Sequence, residues 1–98
     1  MFKHIVMFKI KDELDVGATS KELCEKLSTM PSHIEEIVSI DIGINQIPSP
    51  TAFNVSLITT HKDKESYEKY QAHPYHQQIK SYVVNVTKDR ALVDYEIG

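Results

Sequence analysis

Residues 70–76 read Tyr-Gln-Ala-His-Pro-Tyr-His, and this segment sets the layout of the second half of the chain. Pro74 lacks an amide hydrogen and disfavours helical backbone at the preceding residue, so we expect a helix that passes through Tyr70 to end near His73. Because proline suits the first position of a helix, a second, short helix is expected to follow at once. The break predicts a corner at which Tyr70, His73 and His76, which all bind or move protons, lie close together.

Four segments outside the helices have the composition of β-strands. They are rich in β-branched and aromatic residues, and turn-forming residues separate them. Val38–Asn45 alternates strictly between apolar and polar side chains, which is the pattern of a strand with one buried face. The predicted strands are Phe2–Ile10, Val38–Asn45, Ala52–Thr60 and Arg90–Ile97.

Two helical regions lie between these strands. Thr19 and Glu22 have the spacing of a capping box, which predicts that the first helix begins at Thr19, and Pro31 is expected to end it. Asp63 is expected to cap the second helix, which runs to the break at Pro74. The resulting order β-α-β-β-α-β predicts an α+β, ferredoxin-like fold with a four-stranded antiparallel sheet.

The first predicted strand is apolar on both of its faces. Val6 and Phe8 point to one side of the sheet, and Ile5 and Met7 point to the other. Two helices cover only one face of such a sheet, so the second apolar face needs a partner. We therefore expect a homodimer, in which the sheets of two copies meet and enclose a barrel-like space, a dimeric α+β barrel.

The composition is that of one small globular domain spanning residues 1–98. Hydrophobic residues make up 41% of the chain and charged residues 26%, which excludes a disordered protein. The net charge of −3 gives no basic footprint, so no nucleic-acid partner is expected. Cys24 is the single cysteine, and the apolar first residues are too short for a signal peptide or a membrane span. These features predict a cytoplasmic protein with no membrane contact.

Several segments, in order along nearly the whole chain, resemble the stress-responsive A/B barrel (Dabb) domain family. The Tyr-x-x-His-Pro-x-His pattern is the most specific of them. The resemblance implies the same dimeric α+β barrel that the strand pattern predicts. The segments that carry it are Lys3–Lys9, Ile42–Asn45, Phe53–Leu57, Tyr70–His76 and Val93–Tyr95.

Resemblance to a plant member of this family, which closes a linear polyketide by an aldol-type reaction, also implies a site. It implies that His76 is the general base, that Tyr70 is its hydroxyl partner and that His4 lines the pocket. The plant cyclase has a histidine on the third strand where this chain has Val55, which removes one polar group from the implied pocket. The expected substrate-binding residues are His4, Phe53, Val55, Tyr67 and Ile79.

Each candidate residue also has a purely structural interpretation. His76 can simply pack at the helix junction, Tyr70 can be a core tyrosine, and His73 is interpreted mainly as a helix cap. His73 and His76 have a spacing that suits a metal site, with His61 and Asp63 as further ligands, only if one continuous helix carries both histidines. Because Pro74 breaks that helix, no metal is expected.

The sequence leaves three kinds of function open. The first is cofactor-free proton abstraction, with ring closure or isomerisation, on a small apolar ligand; no cofactor is expected because the chain has no nucleotide-binding glycine motif. The second is a non-catalytic dimeric protein that serves in stress tolerance. The third is an oxygen- or haem-handling enzyme, which is the least favoured because no histidine is obviously placed as an axial ligand.

Overall fold

The computed structural model describes residues 1–98 as a four-stranded antiparallel sheet with helices packed on one face. The strands are β1 Phe2–Ile10, β2 Ser39–Ile44, β3 Val55–His61 and β4 Thr87–Glu96, and their order across the sheet is β2-β3-β1-β4. The helices are α1 Val16–Ser28, α2 Lys64–Ala72 and α3 Pro74–Val86, and a 3₁₀ turn at Met30–Ser32 follows α1. The predicted ferredoxin-like fold is confirmed.

The helix break at Pro74 forms as the sequence predicts. α2 ends at Ala72, and His73 has extended backbone with φ −63° and ψ 134°. The Nδ1 atom of His73 accepts a hydrogen bond of 3.0 Å from the main-chain N of Tyr75, so the residue caps the start of α3. α3 is longer than the short helix expected, at 13 residues, and its buried face continues from Ile79 to Val83. This longer helix forms one side of a cavity.

Two elements, α1 and β4, begin earlier than predicted. α1 begins three residues before Thr19, because the Asp15 carboxylate accepts a 3.0 Å hydrogen bond from the main-chain N of Ala18 and so caps the helix earlier. β4 begins at Thr87 rather than Arg90, because the strand follows α3 directly and pairs along the full length of β1. Because β4 begins earlier, Arg90 lies within this edge strand rather than at its first residue.

The third strand starts later than predicted. Ala52 and Phe53 lie in the preceding loop, and β3 begins at Val55. Asn54 fixes this boundary, because its side-chain Oδ1 accepts a 2.8 Å hydrogen bond from the main-chain N of Ile10. The amide side chain thus takes the place of a strand partner for the end of β1.

The two faces of the sheet differ in what covers them. On the helix side, alternate residues of β1 and β3 are buried in the core with residues of α1, α2 and α3. On the other side, Ile5 lies opposite both Ile58 and Val93, so apolar side chains run across three strands. We call this surface the open sheet face; its apolar residues are Ile5, Met7, Ile58, Val93 and Tyr95. Met7, Val93 and Tyr95 are 40%, 52% and 40% exposed.

None of the helices has the length and apolar character needed to cross a membrane.

Candidate functional site

A cavity of about 170 Å³ lies between the helix-covered face of the sheet and the helices α2 and α3. A cavity of about 150 Å³ in another protein holds a benzene molecule, so this space fits a body the size of one ring. Most of its wall is apolar, as is usual for sites that bind small molecules. The polar side chains on the wall come from four elements, and they are His4, Tyr67, Tyr70, Gln71, His76, Lys80 and Arg90.

His76 stands in the first turn of α3, where Pro74 starts the helix. Its ring centre is 4.5 Å from that of Tyr70, and its Nδ1 atom is buried without a hydrogen-bond partner. Burial is the main cause that lowers the pKa of His76 to about 4, and electrostatic interactions with His4 and Lys80 add to it. The main-chain carbonyl of Gln71 opposes this shift but makes no well-formed hydrogen bond to the ring. The imidazole is therefore neutral near pH 7 and keeps one basic nitrogen.

Tyr70 is completely buried on the same wall. Its hydroxyl lies 4.0 Å from the Met30 sulfur, and its ring centre is 4.7 Å from that of His61. Burial raises the pKa of the Tyr70 phenol above its usual range, so the hydroxyl stays protonated and can donate a hydrogen bond.

A hydrogen-bonded group at the cavity wall was missed by the sequence analysis. The Nδ1 atom of His4 is hydrogen-bonded to Asp94 Oδ1. The Tyr67 hydroxyl donates to Asp94 Oδ2 at 3.2 Å and accepts from Gln71 Nε2 at 2.9 Å. Burial, with the charge of Asp94, raises the pKa of Tyr67 to about 12, so this hydroxyl also remains a donor.

The register of the sheet explains how Asp94 reaches this group. β1 and β4 are antiparallel neighbours, and His4 lies directly opposite Asp94 in their pairing. Since directly opposed residues on one face are close, the carboxylate meets the imidazole. Asp94 belongs to the Val93–Tyr95 segment that resembles the family, and this was the one signal in the sequence that could have identified it.

The structure brings together most, but not all, of the expected substrate-binding residues. His4, Tyr67 and Ile79 line the cavity with His76 and Tyr70. Val55 and Phe53 lie elsewhere: Val55 is buried in the core on the β3 side of Phe8, and Phe53 lies in the loop before β3. There they line a second, shallower cavity of about 220 Å³.

The remaining histidine in this region has a structural role. His61 is buried, its Nδ1 donates to the Glu36 carbonyl at 2.8 Å, and its Nε2 accepts from the Thr59 hydroxyl at 2.9 Å. Both ring nitrogens are thus satisfied in the neutral form, and burial lowers the pKa of His61. No group of three or more His, Cys, Asp or Glu side chains is placed to hold a metal ion.

The lowered pKa of His76 predicts a loss of stability in acid. An unfolded histidine has a pKa of about 6.5, so below that pH the unfolded chain binds a proton that the folded chain does not. The free energy of unfolding should therefore fall as the pH drops from about 6.5 towards the folded value of about 4. Urea titrations at about pH 7 and about pH 5 measure this fall in the free energy of unfolding. We expect the fall to be larger in the unaltered protein than in His76→Gln, by up to about 2 kcal/mol. Equal differences in the two proteins would contradict the assignment of a neutral, buried His76.

Comparisons with known proteins agree with this fold. A dimeric protein of unknown function with a ferredoxin-like fold from Bacteroides fragilis is 27% identical with a TM-score of 0.86, and the match covers 98% of this chain and 95% of that one. A Dabb-family protein from Mesorhizobium loti is 18% identical with a TM-score of 0.79, covering 99% and 97% of the two chains.

A hydroxynitrile lyase from Passiflora edulis has a TM-score of 0.86 at 13% identity, covering 99% of this chain and 93% of that one; a likeness this distant shows the fold alone. A comparison with curated proteins gives no match. The model of the stress responsive A/B barrel domain matches residues 2–97. The sheet order, the helix break at Pro74 and this match over nearly the whole chain lead to one conclusion: the protein belongs to the stress responsive A/B barrel domain (Dabb) family.

Proposed function

We propose that this protein is a homodimeric, cofactor-independent enzyme that binds a small molecule and moves a proton on it. The observation that carries the proposal is His76, a neutral histidine with a buried, unpartnered ring nitrogen on the wall of a ring-sized, mostly apolar cavity. Buried polar atoms normally have partners, and one that does not requires an explanation, of which a catalytic role is one. A neutral imidazole in such a place has the form required of a general base.

The chemistry that fits these groups is the removal of a proton from carbon next to a carbonyl. The C–H bond breaks, the proton moves to His76, and the electron pair passes to the carbonyl oxygen as an enolate. A protonated hydroxyl then stabilises that oxygen by a hydrogen bond in a site of low dielectric. Tyr70 is the proposed donor because its ring is next to His76. The enolate carbon can then add to a second carbonyl in the same molecule, whose C=O π bond breaks and whose oxygen takes the proton from His76. In an isomerisation the enolate carbon system instead takes the proton back from His76 at a different carbon.

Tyr67 is a second hydroxyl on the same wall. It is held in place by Gln71 and Asp94, and His4 shares the same carboxylate. The single hydrogen of the Tyr67 hydroxyl is already donated to Asp94, and the same carboxylate binds the Nδ1 atom of His4. The Nε2 atom of His4 is left to meet the ligand, so this end of the cavity suits a polar group that hydrogen-bonds to an imidazole nitrogen.

The homodimer is proposed from the open sheet face. Its exposed apolar side chains cross three strands, and exposed apolar patches of this kind mark interaction sites on soluble proteins. The Bacteroides fragilis protein, which this chain matches over 98% of its length, is described as dimeric. A second copy is therefore the partner that we propose for this face.

Hydrogen exchange at carbon tests the proposed reaction without knowledge of the natural substrate. Three compounds with a phenyl ring and an acidic C–H serve as probes: phenylpyruvate, ethyl benzoylacetate and benzoylacetone. In D₂O, the unaltered protein should speed the loss of the α-proton signal of at least one of them in proton NMR spectra. If none of the three exchanges faster than in buffer and none raises the melting temperature of the protein, the cavity is not a site for carbon acids. The alternative function, a non-catalytic dimeric protein, is then favoured.

A further inference from the structure

Two cationic side chains on the cavity wall have no carboxylate partner. Lys80 on α3 and Arg90 on β4 both line the cavity. The ion pairs of the protein involve other residues: His4 with Asp94, Lys69 with Glu65, and Lys88 with Asp12. Asp89 is next to Arg90 in sequence, but its side chain accepts a 2.8 Å hydrogen bond from the Arg90 main-chain N.

Arg90 and Asp94, which is hydrogen-bonded to His4 and Tyr67, lie at opposite ends of the cavity wall. On the helix side of β4, Arg90, Leu92 and Asp94 follow one another, because they lie opposite Phe8, Val6 and His4 of β1. At about 3.3 Å per residue, the four residues from Arg90 to Asp94 span about 13 Å. One end of the strand is thus cationic, its middle is apolar, and its other end is occupied by His4 and Tyr67.

α3 brings the second cation towards the same end. Lys80 follows His76 by four residues, which is about 6 Å along a helix and on the same helix face. Ile79 and Val83 add apolar wall beside it. A ligand whose charged head lies at Lys80 therefore has its next few atoms about one helical turn away, at His76.

From this arrangement we propose that the ligand is a small carboxylate with an apolar body about the size of one ring, and that its carboxylate binds between Lys80 and Arg90. This rests on the proposed function, because it assigns a substrate class to the same cavity. The apolar body lies along Leu92, and the carbon that loses its proton lies a few bonds from the carboxylate, beside His76. The carboxylate of the ligand supplies the negative counter-ion that neither Lys80 nor Arg90 has within the protein.

The contribution of each cation should be moderate. Lys80 is half-buried and Arg90 is exposed, so water and salt screen both charges. Removing one cation should weaken carboxylate binding by about threefold to tenfold, and added salt should weaken it further. Neither change should affect a neutral ligand of the same shape.

A matched pair of probes tests the charge requirement. 3-Phenylpropanoate and 3-phenylpropanamide share one shape and differ in charge, and their binding is measured by NMR titration at low salt. We expect the acid to bind at least about tenfold more tightly than the amide, which corresponds to about 1.4 kcal/mol. Lys80→Met and Arg90→Met should each remove part of this preference and leave amide binding unchanged. Lys88→Met is the control, since Lys88 is near Arg90 in sequence but is paired with Asp12.

The possible outcomes separate this inference from the proposed function. Equal affinity for acid and amide, or equal effects of Lys80→Met and Lys88→Met, overturns the carboxylate assignment while the cavity remains a binding site. No binding of the acid at millimolar concentration overturns it too. If ethyl benzoylacetate or benzoylacetone still exchanges its α-proton with the protein, the proton-transfer proposal survives that failure.

Discussion

Replacing His76 by glutamine should slow the protein-catalysed exchange of the α-protons of phenylpyruvate by about 10²- to 10⁴-fold, the usual worth of a general base. Glutamine is close to histidine in size and polar, but it has no nitrogen that accepts a proton near neutral pH. The rate is followed by proton NMR in D₂O, with buffer alone as the baseline. Because His76 is neutral over most of the accessible range, the rate of the unaltered protein should fall only as the pH approaches about 4.

The control for this substitution is a histidine outside the cavity. His33 is exposed and stacks on Tyr75 with ring centres 3.9 Å apart, so His33→Gln changes the same side chain without touching the cavity. The His33→Gln variant should exchange the α-protons of phenylpyruvate at the same rate as the unaltered protein. If His76→Gln keeps more than about a tenth of the catalysed rate while His33→Gln is normal, His76 is not the base.

The two hydroxyls can be separated in the same assay. Tyr70→Phe and Tyr67→Phe each remove one oxygen from the cavity wall and keep the ring. If Tyr70 stabilises the enolate, Tyr70→Phe should lower the catalysed rate by about 10²-fold or more, within the range seen for a lost oxyanion donor. The Tyr67 change should then have the smaller effect. The reverse order would transfer the role to Tyr67, which is already aligned by Gln71 and Asp94.

Features that depend only on residues close together in the sequence could be predicted from it. Pro74 ends one helix and starts the next by its own ring chemistry, and the alternation of β1 specifies two apolar faces whatever lies beside it. The start of α1 was wrong because the local sequence does not choose between two possible caps. Asp15 and Thr19 are both good capping residues, and only the packing of the helix decides between them.

Features of the site that depend on strand register could not be predicted in this way. Asp94 meets His4, and Arg90 reaches the cavity, only because β4 lies beside β1 with one particular pairing. A shift of that pairing by one residue would turn both side chains to the other face of the sheet. Val55 shows the same dependence: its face was predicted correctly, but it lies on the β3 side of Phe8, whereas Arg90 lies on the β4 side and reaches the cavity.

Placing a lysine on the open sheet face should abolish the proposed dimer. Val93 lies on the edge strand β4 directly opposite Ile5, so Val93→Lys puts a charge beside the apolar side chains of that face. Val84, which is 55% exposed on α3, provides the matched control in Val84→Lys. Sedimentation velocity at low micromolar concentration should show dimers for the unaltered protein and for Val84→Lys, and monomers for Val93→Lys.

The expected size of this effect follows from the symmetry of the interface. In a two-fold dimer each substitution occurs twice, and Val93 is 52% exposed in one copy, so dimerisation buries about half of each side chain and contributes about 0.8–1.5 kcal/mol for each. The lost burial therefore amounts to about 1.5–3 kcal/mol, and the two new lysines also repel each other. Since about 1.4 kcal/mol corresponds to a tenfold change, the dissociation constant should rise by at least about tenfold. A dimer that persists in Val93→Lys would show that the copies meet elsewhere, and an unaltered protein that sediments as a monomer would leave the open sheet face without its proposed partner.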